Sequence, residues 1–144
     1  MLLLRCDEEN FLEINVLRRK YPDTNNYWDI NWLDVSVRIS ASDFKADYCT
    51  NLRTDELKSW YDALVSLKNS TGNEAELSSM EGGLCLHCVI RRTGRFDCKG
   101  TAKNFFGDKL EFSLSADNQV LYDVLSQLER LLKDYPVLGS RTTE

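Results

Sequence analysis

In the segment WLDVSVRIS, residues 32–40, apolar and polar side chains alternate throughout. Leu33, Val35, Val37 and Ile39 fall on one side and Asp34, Ser36, Arg38 and Ser40 on the other. That is the pattern of an antiparallel strand with one wet face. By RTDELKSWYDALVSLKN, residues 53–69, the period has changed: Leu57, Trp60, Tyr61, Leu64 and Leu67 recur at helical spacing. A chain that switches period in this way has to lay an amphipathic helix on a half-wet sheet.

The same switch occurs twice. In the first half, 2–6 and 11–17 precede 32–40 as strands, and SDFKADYCT, residues 42–50, follows with Phe44, Ala46 and Tyr48 on one side. Thr54 is the expected N-cap of the helix, Asp55 and Glu56 complement its dipole, and Gly72 is the residue expected to take positive φ beyond its end. In the second half, 75–80, 83–92, 95–104 and 109–115 read as strands. A second helix over 117–135 carries Val120, Leu121, Val124, Leu125, Leu128, Leu131 and Leu132 on one stripe, and Pro136 stops it. The pattern predicts an α+β fold in the order ββββα-ββββα: a twisted, largely antiparallel sheet of about eight strands with two amphipathic helices on one face. A rolled, partly closed barrel is the main variant. One domain is expected over 1–144, with halves 1–72 and 73–138 alike in element order and a flexible tail at 139–144.

Composition excludes several function classes. With 42% hydrophobic and 28% charged residues, disorder is not indicated. The apolar run Met1–Leu4 is too short for a signal peptide, and no stretch approaches the roughly twenty apolar residues of a membrane helix. A cytoplasmic protein without membrane or nucleic-acid partners is expected, since a net charge of −5 opposes phosphate tracking. An acidic surface favours basic partners instead.

Chemistry is not evident. The five cysteines (Cys6, Cys49, Cys85, Cys88 and Cys98) read as reduced, buried thiols. Cys85 and Cys88 should face opposite sides of a strand, while Cys85 and His87 share a side. A metal site completed by Cys98 or Cys49, or Cys–His catalysis, is the minority alternative. EGG at 81–83 and RRTGR at 91–95 lack phosphate-loop spacing, and the second reads as a charged hairpin tip. DTNNYWDINW lacks the glycine and glutamate of a calcium loop. No cofactor or metal is expected.

The segment YPDTNNYWDINWLDV, residues 21–35, is long for a strand connection and rich in rings and acids. One account is structural: Tyr21, Tyr27, Trp28 and Trp32 close the core, and Asp23, Asn25, Asp29 and Asn31 brace the backbone. The other makes Asp23, Tyr27, Trp28, Asp29 and Asn31 a docking surface for a partner. Burial of indole rings favours the first.

These residues resemble the WapI-type immunity proteins of bacterial contact-dependent toxin systems. The resemblance rests on Leu17-Arg18, Tyr21-Pro22-Asp23, Trp28-Asp29-x-Asn31-Trp32-Leu33-x-Val35, Leu52, Glu56-Leu57 and Trp60, and is specific over residues 11–67. It implies a non-enzymatic cytoplasmic protein that neutralises a toxin domain by binding it. Toxins of such systems are often nucleases with basic surfaces, which an acidic inhibitor suits. The alternatives are an interaction or small-ligand-binding module, and a small enzyme using Cys85 and His87 or carboxylates.

Overall fold

A computed structural model describes residues 1–140. The strands β1 (Leu2–Arg5), β2 (Asn10–Arg19), β3 (Trp32–Ala41) and β4 (Phe44–Arg53) form one antiparallel sheet in sequential order. A one-turn helix, α1 (Tyr27–Ile30), interrupts the connection from β2 to β3, and α2 (Thr54–Lys68) follows β4. The second half repeats the plan with β5 (Ala75–Ser78), β6 (Leu84–Ile90), β7 (Arg95–Lys103), β8 (Lys109–Asp117) and α3 (Gln119–Asp134). The α+β class and the order ββββα-ββββα are as the periodicity predicts, with the eight strands divided into two sheets of four. The expected tail lies largely at 141–144, outside the described residues.

The sheets share one core. Leu33, Val35, Val37 and Ile39 of β3 are buried, as alternation requires, and join Leu86, Phe96 and Leu114 of the second sheet in a single cluster. Trp60 and Leu64 of α2 and Val124 and Leu128 of α3 complete it. Each helix crosses over: α2 packs on β5, the first strand of the other half, and α3 packs on β1. The two halves therefore share one core.

Two local devices tie this arrangement together. Gln127 of α3 accepts from Leu3 N–H at 2.6 Å and donates to Leu3 O at 2.9 Å, so its amide stands in for a neighbouring strand at the β1 edge. At Gly83 the chain passes so close to β4 that a Cβ would lie 2.0 Å from Thr50 Oγ1. Tyr48 donates to Gly83 O there at 2.7 Å, joining the sheets.

The helix boundaries differ from expectation in detail. Arg53, not Thr54, is the N-cap of α2, because Glu56 accepts the Arg53 N–H at 2.8 Å and frees the Thr54 hydroxyl for another partner. Beyond the C-terminus, Ser70 takes the left-handed conformation (φ 59°) expected of Gly72.

Candidate functional site

The 21–31 connection is built around two buried polar side chains. Asn26 caps α1: its Oδ1 accepts from Trp28 N–H at 2.8 Å and from Asp29 N–H at 3.3 Å. A four-residue helix leaves its carbonyls without internal partners, and two guanidinium groups serve them. Arg53 donates through Nη1 to Trp28 O and through Nη2 to Tyr27 O at 3.4 Å. Arg19 donates to Ile30 O at 2.9 Å and to Pro136 O at 2.6 Å.

The Arg53 side chain is wholly buried. Its Cζ lies 5.4, 5.0 and 5.2 Å from the ring centroids of Tyr27, Trp28 and Trp32. Asp55 accepts from its Nε at 2.9 Å and balances the charge. An arginine so enclosed is tolerable only because its charge and N–H groups meet carboxylate, carbonyls and aromatic faces together.

Asn31, also fully buried, uses its whole amide. Nδ2 donates to Tyr27 O and Leu138 O, each at 2.9 Å, and Oδ1 accepts from Thr54 Oγ1 at 2.7 Å and Leu138 N–H at 2.9 Å. This amide binds α1, the start of α2 and the segment after α3 to one another. Next to it, burial raises the Glu56 carboxyl above its ordinary range, although Arg53 and Met80 N–H both donate to it.

The structure thus splits the five residues singled out in this loop. Tyr27 and Asn31 face inward and hold the loop. Asp23 and Asp29 are exposed, and Trp28 is 37% exposed with its inner side against Arg53. Of the expected braces only Asn31 carries the described bonds of the turn, and Asn26 takes the helix-capping place. Arg53 was missed because a lone arginine beside a helix start carries no periodic signal. The part played by Pro136–Leu138 is equally silent in sequence, since both contacts there use main-chain atoms.

Cys85 and His87 share the outer face of β6, as alternation requires, with Cys88 on the opposite side. Cys88 and Cys98 face the core, and Cys49 is exposed on the first sheet. His87 Nε2 lies 2.7 Å from Glu74, its partner in place of a cysteine. Glu74, Glu76 and His87 have donor atoms within 4.8 Å of one another. Lys99, the cross-strand neighbour of His87, puts a positive charge on the same face and disfavours a further cation. The expected hairpin tip at 91–95 is present, with Arg91 paired to Asp97 at 3.2 Å. A groove of about 540 Å³ crosses the outer face of the second sheet, lined by Glu76, Cys85, Leu86, His87, Lys99 and Phe112 among others. A second exposed aromatic feature, unforeseen in sequence, is the β7–β8 turn, where Phe105 and Phe106 are 70% and 91% exposed. Asn104 Oδ1 fixes that turn by accepting from Phe106 N–H at 3.0 Å and Asp108 N–H at 2.9 Å.

Fold and loop together define a two-sheet α+β protein whose most elaborately braced surface feature is an acidic, aromatic loop. The chain belongs to the immunity protein WapI-like family, whose model matches residues 3–136. Membership implies a protein toxin as the binding partner. No helix among the described residues is long and apolar enough to cross a membrane. Curated proteins provide no significant match. Among solved structures, the crystal structures of trypanosoma bruciei MRP1/MRP2 are similar, with a TM-score of 0.51 at 10% identity, over 94% of this chain and 84% of that one. At that identity the likeness concerns the fold alone.

Proposed function

We propose that this protein is a cytoplasmic, non-enzymatic immunity protein that neutralises a cognate basic toxin domain by direct binding. Asp23, Trp28 and Asp29 form part of the contact surface, and Tyr27 and Asn31 hold them in place from behind. The observation that carries this reading is the bracing of the loop: Trp28 stands half-exposed on a turn whose underside is anchored by Arg53 and Asn31. Interfaces gain affinity when an aromatic anchor is rigid before binding, because less freedom is lost on association. The flanking carboxylates and the net charge of −5 suit a basic partner and faster capture at low salt.

Calorimetry with a candidate basic toxin domain tests the reading. An equimolar complex is expected at low ionic strength, weakening as salt rises. Asp23→Lys with Asp29→Lys, and separately Trp28→Ala, should each weaken binding about tenfold or more, with the fold checked by circular dichroism. Absence of any complex sinks the immunity reading for that toxin. Full affinity in these variants together with loss in Phe106→Ala moves the contact surface to the β7–β8 turn.

A further inference from the structure

We propose that Cys88 and Cys98 are a built redox site, a cross-strand dithiol that closes to a disulfide when the protein meets a small peroxide. The two residues are direct partners on β6 and β7, and both side chains are buried in the shared core. Cys98 Sγ–H donates to Cys88 Sγ at 2.9 Å.

The ladder places this pair where closure is easiest. Arg91 N–H donates to Arg95 O at 2.8 Å at one end, and Lys103 N–H to Gly83 O at 3.1 Å at the other. Hydrogen-bonded and non-hydrogen-bonded pairs alternate along an antiparallel ladder. Counting inward from either end through the register makes Cys88 and Cys98 a non-hydrogen-bonded pair. Cα atoms of such a pair lie roughly 4.5 Å apart, with side chains closer than at the alternate positions. That separation falls within the range of roughly 4.4–6.8 Å that a disulfide accepts. Closure therefore needs the sulfurs to approach by about 1 Å, and no change of register.

The chemistry balances with peroxide as the oxidant. One thiolate attacks the O–O bond, which breaks to give a sulfenic acid and hydroxide, and the hydroxide takes up a proton as water. The second thiol then attacks that sulfur: the S–S bond forms, the S–O bond breaks, and the departing oxygen leaves with the remaining proton as a second water. The two sulfurs lose two electrons and the peroxide gains them. The bond to Cys88, and then burial, keep the Cys98 thiol protonated well past its ordinary range, so oxidation should be slow and should quicken as pH rises.

Peptide mapping of the folded, full-length protein tests this. Arg91, Arg92 and Arg95 lie between the cysteines, so trypsin leaves two peptides that only a sulfur–sulfur bond can keep together. After hydrogen peroxide, with remaining thiols alkylated in denaturant, the joined pair should appear two hydrogens lighter than its free parts. It should separate on reduction and be missing from Cys88→Ser and Cys98→Ser. Recovery of both peptides separately alkylated, under peroxide that oxidises the exposed Cys49, overturns the proposal. So does a bond from Cys98 to Cys6 in place of Cys88. If a serine variant does not fold, mapping of the natural protein decides alone.

Discussion

Arg53 is the residue on which the candidate surface turns. Its guanidinium serves the Tyr27 and Trp28 carbonyls, the Asp55 carboxylate and three aromatic faces at once. Arg53→Met keeps much of the volume but leaves those carbonyls without donors, and should lower the unfolding free energy by on the order of 3 kcal/mol in urea titrations. Arg53→Lys should restore little, because a compact ammonium cannot reach two carbonyls and a carboxylate in one plane. A loss below about 1 kcal/mol for the methionine variant would mean that the rings and not the cation hold the loop. Little of this is legible in sequence. Tyr27 and Trp28 stand out as aromatic, but which of them faces in depends on a charge supplied from far along the chain.

Elements were far easier to read than their ends. Period alone located eight strands and two long helices, because burial on one face leaves a repeat that survives any tertiary detail. The one-turn helix α1 escaped because four residues are too few for a period. The left-handed turn after α2 fell on Ser70 and not on Gly72; freedom to adopt a conformation does not compel a residue to adopt it. Within β7, Gly100 has a cause that the sequence could not display. A Cβ there would lie 2.3 Å from Phe112 Cζ and 2.9 Å from Leu86 Cδ2. Gly100→Ala should displace the Phe112 ring and cost about 1–3 kcal/mol, seen as a lowered thermal midpoint. An unchanged midpoint would show that the ring has room to swing aside.

For the whole molecule, the crossing of the helices matters more than the likeness of the halves. Because α2 packs on β5 more than on β4, and α3 on β1 more than on β8, the helices bind each half into a core that both share. Residues 1–72 alone should show no cooperative thermal transition, and neither should 73–140. Mixing the two should regain part of the native near-ultraviolet dichroism. A sharp transition in either half alone would mean that it closes its core unaided. The element order was plain from the repeated switch of period, but the crossing was not, since a stripe of leucines states that a helix has an apolar face without naming the sheet it meets.

Leu138 adds a constraint in time. Its main-chain N–H and carbonyl both meet the Asn31 amide, and the Pro136 carbonyl meets Arg19. A ribosome makes the loop before the groups that complete it, which follow about a hundred residues later. While the nascent chain is still growing, the 27–31 turn lacks these clasps, so the surface it offers matures only after α3 has emerged. A partner that recognises the finished turn would in that way distinguish chains synthesised past Leu138 from shorter nascent ones.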